Sequence, residues 1–229
     1  DSMNRYYNEH NANIHRAAHT LSQSATEAYE SARVKVGQFL NANDTREIIF
    51  LRGTTEAINL VAGSWGEANI GQGDEIIISA MEHHSNIVPW QLLCEQTGAA
   101  LKVAKVNDDG SLDMESFKEL LTEDTIIAAF PHVSNAIGTI NPIKDMCILA
   151  SEVGAITVVD GAQAVGHQQV DVSDIDCDFY ATSGHKMFGP TGIGCLYGKH
   201  PTNRCLFQRL LLGGRYCSFK AIATTFRPF

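Results

Sequence analysis

The fold is decided by ITVVDGAQ, residues 156–163, which is followed at residues 183–186 by SGHK. The first four residues of this stretch are apolar or β-branched, a composition typical of a buried strand. Asp160 is therefore predicted at the carboxyl end of a strand, the edge at which open α/β sheets bind their ligands. Lys186 closes the second stretch, so two neighbouring motifs supply one carboxylate and one amine.

Lys186 and Asp160 are the pair of groups that an enzyme using pyridoxal 5'-phosphate (PLP) needs. A lysine amine holds the cofactor's aldehyde as a Schiff base, and a carboxylate keeps its pyridine nitrogen protonated. Taken alone, each residue has a simpler explanation, since Asp160 could cap a helix and Lys186 could be a solvated loop lysine. The wider sequence context favours the cofactor.

Helical and strand patterns alternate around these motifs from residue 24 to residue 197, which is typical of a mostly parallel sheet covered by helices. Strands are predicted at residues 47–51, 76–79, 101–106, 125–131, 156–159, 178–182 and 194–197. Helices are predicted at residues 26–40, 55–64, 86–96, 114–121 and 143–153, with a turn at 107–110.

No repeat or linker interrupts this pattern, so residues 1–199 are predicted to form one large domain. Residues 200–229 are crowded with arginine, cysteine and phenylalanine and depart from the alternation. They are predicted to be a divergent tail, truncated or aberrant.

The composition describes an acidic globular protein. The 229 residues are 44% hydrophobic and carry a net charge of -9, enough for a sizeable core in one or two domains. The charge balance argues against nucleic acid and against an anionic membrane as partners. No apolar run of about 18 residues occurs, and the polar start of the chain lacks a signal-peptide pattern, so a cytoplasmic location is expected.

The cysteines do not form a recognisable framework. Their spacing is unpaired, which suggests neither a metal site nor a set of disulfides. Most are expected to be small core residues. The six are Cys94, Cys147, Cys177, Cys195, Cys205 and Cys217.

Three motifs resemble the class V aminotransferase superfamily: EHHSNIVPW at residues 82–90, the stretch containing Asp160 and Gln163, and SGHKMFGPTGIG at residues 183–194. Within it they are most similar to the SufS-type, group II cysteine desulfurases. The resemblance implies an α/β fold, the large domain of PLP fold type I, with a mostly parallel seven-stranded mixed sheet and flanking helices. The family's opening strand and loop have no counterpart, so the domain is expected to be incomplete at its N-terminus.

RGTTE, residues 52–56, lies between a predicted strand and a predicted helix. Backbone N–H groups and the positive end of the helix dipole can face an anion there, although a plain helix cap would also explain this sequence. The resemblance implies that Thr55 binds the cofactor phosphate, with Thr54, Ser183 and His185 nearby.

Two histidines, His83 and His84, follow the strand predicted at residues 76–79. The resemblance implies that His83 stacks on the pyridine ring and shuttles protons. Imidazole suits both tasks because it is flat and has an ordinary pKa of about 6.5. His84 is predicted to cap the following helix and is left out of the site.

Two amides complete the predicted site. The resemblance implies that Asn135 contacts the substrate carboxylate and the phenolic oxygen of the cofactor, and that Gln163 contacts the same oxygen. Either amide could instead satisfy loop backbone. His15, Arg16 and His19 lie in a segment that resembles the family's His-Arg-x-x-His, but no role follows from their chemistry.

The resemblance implies a PLP-dependent cysteine desulfurase with Lys186, His83 and Asp160 as its catalytic residues. L-cysteine, or alternatively L-selenocysteine, loses its sulfur to give L-alanine and an enzyme persulfide. A Suf-type acceptor protein is expected to take up this sulfur for iron–sulfur cluster assembly. The complete protein is expected to be a homodimer.

The family's motifs for the nucleophilic cysteine and for the substrate-binding arginine do not occur in these 229 residues. This chain by itself is therefore expected to leave desulfuration incomplete. Two alternatives stay open. One is another class V enzyme, such as a selenocysteine lyase, a kynureninase-like hydrolase or an epimerase, and the other is an inactive fragment that keeps the fold without holding PLP tightly.

Overall fold

The computed structural model describes residues 2–15 and 19–203. The strands are β1 (Ile48–Leu51), β2 (Glu75–Ser79), β3 (Ala100–Ala104), β4 (Thr125–Pro131), β5 (Ile156–Asp160), β6 (Phe179–Ser183) and β7 (Gly194–Gly198). The α-helices are α1 (Ser2–Arg5), α2 (Thr20–Leu40), α3 (Thr54–Val61), α4 (Glu67–Asn69), α5 (Val88–Thr97), α6 (Met114–Leu120), α7 (Ile143–Glu152) and α8 (Val172–Ile175). Arg16 and residues 204–229, which contain most of the predicted tail, lie outside the described residues.

The seven strands form one sheet in the order β1-β7-β6-β5-β4-β2-β3. Strand β7 runs antiparallel to both of its neighbours, β1 and β6, and the other pairs are parallel. The predicted α/β fold, with a mostly parallel seven-stranded mixed sheet and flanking helices, is thereby confirmed.

The middle of the sheet is buried on both faces. In β5, Val158 and Val159 are each 0% exposed and belong to two different hydrophobic clusters, because successive strand residues point to opposite faces. Helices α3 and α5 cover the face of Val158, and α2, α6, α7 and α8 cover the other. Full burial of a valine contributes about 1.5–3 kcal/mol, which explains why this strand is apolar at consecutive positions.

The carboxyl ends of the central strands meet at one edge of the sheet. Pro131 of β4 is in register with Asp160 of β5, and Asp160 is in register with Ala181 of β6. Strand β1 points the same way as β6, because both are antiparallel to β7. The turn that follows Leu51 therefore reaches the same edge as the end of β6.

Helices α2, α3 and α5 begin at positions that differ from the prediction, α3 by one residue at Thr54. Helix α2 begins at Thr20 instead of residue 26, because His19 caps it by accepting a hydrogen bond from the Ser22 backbone N–H over 3.3 Å. Helix α5 begins at Val88 after a short 3-10 turn, with Pro89 in its first turn. Hydrophobic periodicity does not detect the largely polar first turn of α2, and it does not separate the 3-10 turn His84–Asn86 from the helix that follows it.

Within residues 2–15 and 19–203, no helix is long and apolar enough to span a membrane. No three His, Cys, Asp or Glu residues in those ranges are grouped so that they could hold a metal ion. The cysteines there are free thiols, partly exposed at Cys94 and buried at Cys147, Cys177 and Cys195. Cys205 and Cys217 lie outside the described residues.

Candidate active site

A cavity of about 210 Å³ lies at the carboxyl edge of the sheet. It is lined by all nine residues that the sequence nominated for cofactor binding: Thr54, Thr55, His83, Asn135, Asp160, Gln163, Ser183, His185 and Lys186. Sequence reasoning missed four further lining residues, Ser85, Pro131, Val133 and Ala162. Each of these lies within three residues of a nominated one or at the end of a predicted strand.

One end of the cavity is formed where α3 begins. The Thr54 backbone N–H donates to Ser183 Oγ over 2.9 Å, and the two hydroxyl oxygens also lie 2.9 Å apart. These buried contacts join the first turn of α3 to the end of β6. Gly53 precedes the helix with φ +152°, and a Cβ there would approach Ser183 Oγ to 3.1 Å. The positive end of the α3 dipole is thus held at the cavity, where it favours an anion.

A second cavity of about 450 Å³ adjoins this helix terminus and shares Thr54, Thr55, Ser183 and His185 with the first. Arg52 also lines it, and its guanidinium is paired with Glu56 at 3.0 Å. This ion pair holds the pKa of the Glu56 carboxyl below its usual range, chiefly through the hydrogen bond from the guanidinium.

Asp160 is a buried carboxylate at the floor of the site. Only 8% of the residue is exposed, and its Oδ1 accepts a hydrogen bond of 2.9 Å from the Ala162 backbone N–H. Burial raises the pKa of Asp160, while that hydrogen bond, the charge of Lys186 and the nearby His83 oppose the rise. Burial disfavours the ionised form of this carboxyl group. A protonated ring nitrogen placed against it would favour the ionised form again.

Lys186 lies in the 3-10 turn Gly184–Lys186, immediately after β6. The turn is closed by the Met187 backbone N–H donating to the Gly184 carbonyl over 3.0 Å. A Cβ at Gly166 would lie 2.4 Å from the Lys186 carbonyl oxygen. Glycine at this position therefore lets the segment after Asp160 pack against the backbone of the lysine turn.

The exposed His83 ring is oriented by hydrogen bonding to Ser85. His83 Nδ1 accepts a hydrogen bond of 3.1 Å from the Ser85 backbone N–H and lies 2.8 Å from Ser85 Oγ. The neutral ring accordingly carries its proton on Nε2. His84 does not line the cavity.

The two predicted amides are free to meet a ligand. Within the described ranges, neither the Asn135 nor the Gln163 side chain has a hydrogen-bond partner, although both line the cavity. The backbone N–H groups of the loop around Asn135 are hydrogen-bonded by Ser134 instead. Its Oγ accepts from the Ala136 N–H at 3.3 Å and the Ile137 N–H at 3.4 Å.

The histidines near the start of the chain lie elsewhere. His15 Nε2 is 3.2 Å from Glu30 Oε1, and His19 caps α2. Neither lines the cavity, and Arg16 lies outside the described residues.

The donors around this cavity fit the functional groups of PLP. A buried carboxylate suits the ring nitrogen, a lysine amine suits the aldehyde, a helix N-terminus suits the phosphate, and free amides suit the phenolic oxygen. A side chain at Gly53 would crowd Ser183 Oγ at this end of the cavity, so glycine leaves room there. The chemistry that this arrangement supports is the binding of an anionic, ring-containing aldehyde.

Comparisons with known proteins agree on one family. The aminotransferase class-V family matches residues 1–227. A cysteine desulfurase of Synechococcus elongatus is 55% identical over 199 residues, which are 87% of this chain and 32% of that protein. A cysteine desulfurase of Escherichia coli is 54% identical over 199 residues, again 87% of this chain and 49% of the relative.

The solved structure of a cysteine desulfurase from Thermococcus onnurineus superimposes with a TM-score of 0.83 at 41% identity. The match covers 87% of this chain and 49% of that one. The chain thus spans between about a third and a half of the length of the relatives it matches.

Proposed function

The chain belongs to the aminotransferase class-V family, and we propose that it is the cofactor-binding part of a PLP-dependent cysteine desulfurase. The observation that carries this proposal is the single cavity lined by Lys186, Asp160, His83 and the anion-favouring start of α3. The cysteine desulfurases that match the chain at 54–55% identity support the choice of substrate. In this function L-cysteine gives L-alanine and an enzyme persulfide, with L-selenocysteine as the alternative substrate.

When bound, PLP supplies an aldehyde for the substrate amine and an electron-accepting ring that eases removal of the α-proton. Lys186 holds the aldehyde at rest and takes the α-proton during reaction. The Asp160 carboxylate holds a proton on the ring nitrogen. His83 would lie against the cofactor ring and, with its Nε2 proton, could exchange protons with the substrate.

The remaining residues bind and orient. Thr54 and Thr55 present the start of α3 to the phosphate, with Ser183 fixing that turn from β6. His185 adds a polar group to the same end of the cavity. Asn135 and Gln163 are proposed to bind the phenolic oxygen, with Asn135 also meeting the substrate carboxylate.

The organisation of the whole protein is also a proposal. We infer that residues 1–199 form the PLP-binding large domain and that residues 200–229 are a divergent tail. By its resemblance to the SufS-type enzymes, the whole protein is proposed to be a cytoplasmic homodimer that hands sulfur to a Suf-type acceptor for iron–sulfur cluster assembly. Light scattering on the whole protein tests the dimer.

The test of cofactor binding uses this chain and a matched pair of lysine variants. The purified chain mixed with PLP should gain a visible absorbance band, and borohydride reduction followed by peptide mapping should label Lys186. Lys186→Ala should lose both signals. Lys199→Ala is the control, because Lys199 lies in an ion pair with Asp176 at 2.6 Å and does not line the cavity.

Label on Lys199 instead of Lys186, or no spectral change in the wild-type chain, would count against the proposed function. Assays of alanine release by the whole protein, with L-cysteine against other amino acids, separate a desulfurase from a selenocysteine lyase, a kynureninase-like hydrolase or an epimerase. An inactive fragment would leave the spectrum of PLP unchanged.

A further inference from the structure

Glu82 directly precedes His83 but does not line the cavity. Its Oε1 pairs with the Ser79 hydroxyl and accepts from the Ser79 backbone N–H over 3.3 Å. Its Oε2 accepts from Asn86 Nδ2 over 2.8 Å. One carboxyl group therefore links the last residue of β2 to the 3-10 turn His84–Asn86, which His83 caps.

The far side of this link is anchored in the core. Asn86 is 0% exposed, and its Oδ1 accepts a hydrogen bond of 2.8 Å from Trp90 Nε1. Trp90 is itself 0% exposed in α5. The Asn86 backbone N–H donates to the His83 carbonyl over 2.8 Å, so the anchored asparagine holds the backbone of the histidine.

The Glu82 carboxyl is suited to this position in its protonated form. The residue as a whole is only partly buried, but its carboxyl group is enclosed by protein atoms, and this burial raises its pKa to about 8. Hydrogen bonds from Ser79 and Asn86 oppose the rise, and the charge of Asp160 adds to it. A neutral Glu82 avoids placing a second negative charge beside Asp160.

We propose that Glu82 is a positioning residue that fixes the orientation of His83 by bridging Ser79 and Asn86. The value of that orientation for catalysis rests on the proposed function, because a fixed imidazole matters only when a ring lies beneath it. The structural link between Glu82 and His83 does not depend on the cofactor. The positioning role of Glu82 and the proposed function can therefore be tested separately.

The first test measures the ring nitrogens of His83 by NMR in the chain without PLP. The wild type should show one tautomer, with the Nδ1 resonance of a hydrogen-bond acceptor. Glu82→Gln should shift Nδ1 part of the way, because its Nε2 donates and cannot accept from Ser79 or Asn86. Glu82→Ala should shift Nδ1 further, toward the average of the two tautomers. Glu47→Ala is the matched control, since Glu47 is a buried glutamate that caps the 3-10 turn Thr45–Glu47.

An unchanged His83 Nδ1 resonance in Glu82→Ala would overturn the proposal. Should that variant fail to fold, Ser79→Ala decides, because it removes one contact and leaves the glutamate in place. A shift of the His83 Nδ1 resonance toward the average of the two tautomers in Ser79→Ala supports the bridge. An unchanged resonance in Ser79→Ala overturns it.

The second test measures PLP dissociation constants by equilibrium dialysis across pH. Glu82→Ala should weaken PLP binding about tenfold, the scale of one supporting hydrogen bond. Wild-type affinity should hold or rise as Glu82 ionises above about pH 8, because the added negative charge near Asp160 favours a protonated ring nitrogen. Glu82→Gln should lack this response. If the wild type binds no PLP, the proposed function fails, and the NMR result still decides the positioning role of Glu82. If PLP binds but His83 is unaffected by the Glu82 variants, the positioning role fails and the proposed function stands.

Discussion

Asp160 illustrates a conflict between stability and ligand binding at the level of one residue. Its pKa is raised by burial, so the folded chain holds the proton more tightly than the unfolded chain does. As pH rises above the ordinary aspartate pKa of about 4, the unfolded chain ionises first and the free energy of unfolding falls. At neutral pH this carboxylate therefore opposes folding of the cofactor-free chain.

Asp160→Asn is expected to separate these two effects. The amide oxygen can still accept from the Ala162 N–H, so the free energy of unfolding without PLP should be equal or higher at pH 7. PLP affinity should fall about 10- to 100-fold, because a hydrogen bond to a charged partner contributes about 1.5–3 kcal/mol. Urea unfolding and PLP dialysis measure the two quantities on the same variant. If Asp160 only capped backbone, Asp160→Asn would leave PLP affinity unchanged, because asparagine caps as well as aspartate does.

Residue chemistry made some of the candidate site predictable and left the rest hidden. Lys186 and Asp160 could be nominated because a Schiff-base lysine and a pyridinium carboxylate are required by the cofactor itself. Glu82 could not, since its significance depends on enclosure of its carboxyl and on the nearby charge of Asp160. Gly166 was equally hidden, because its close neighbour, the Lys186 carbonyl, is brought to it only by the fold.

At the scale of elements, a buried histidine ties three segments together behind the site. His132 follows β4, and its Nδ1 lies 2.8 Å from the hydroxyl of Tyr180 in β6. Its Nε2 lies 2.6 Å from Gln168 Nε2, at the end of the segment that carries Gln163. The His132 backbone N–H also donates to the Asp160 carbonyl over 2.9 Å. Burial lowers the pKa of His132 to about 4, so the ring is neutral at physiological pH.

This network predicts a specific loss of stability in mild acid. As pH falls from about 6.5 toward 4, the unfolded chain binds a proton that folded His132 refuses, so the free energy of unfolding should fall by about 2–3 kcal/mol. His132→Gln should show a shallower slope over that range in urea unfolding curves. His167→Gln is the control, because His167 is an exposed histidine in the same segment. Equal slopes in the wild type and His132→Gln would contradict the role given to the network.

The type of an element could be predicted where both of its faces are buried. The boundaries of an element could not be predicted where polar residues determine its first turn. Strand β4 matches its prediction at both ends, because Thr125–Pro131 is a short, nearly continuous apolar run of strand length with β-branched residues at its start. Helix α2 was predicted six residues short, since its first turn contains Thr20 and Ser22 and its cap is the histidine at position 19.

For the whole molecule, local pattern indicated a parallel sheet but could not give the order of its strands. Sheet order depends on contacts between segments far apart in sequence, such as Leu51 of β1 against Gly194 of β7. That one pairing sets the start of α3 beside the end of β6, where Thr54 meets Ser183. The cavity is thus a product of topology, and it unites motifs that are more than 100 residues apart.

The cysteines set a limit on what this chain can do as a whole. Transfer of sulfur from L-cysteine requires an accessible thiolate, and thiolates form near neutral pH only in electropositive, exposed surroundings. Burial instead raises the pKa of Cys147 to about 12 and of Cys195 to about 11, and it raises that of Cys177 as well. Cys94 is partly exposed, but burial raises its pKa too. No cysteine in the described ranges is therefore suited to attack sulfur.

We accordingly expect this chain to bind PLP and L-cysteine without sustained desulfuration, while the whole protein forms a persulfide and releases alanine. The measurement is alanine production from L-cysteine by the two proteins at equal PLP occupancy, with thiol-specific labelling to detect persulfide. Cys205 and Cys217, outside the described residues, provide the decisive variants. Sustained alanine production by this chain that either Cys205→Ser or Cys217→Ser abolishes would contradict the prediction. It would also mean that a cysteine within residues 200–229 accepts the sulfur, a role for which the raised pKa values of the described thiols make them unsuited.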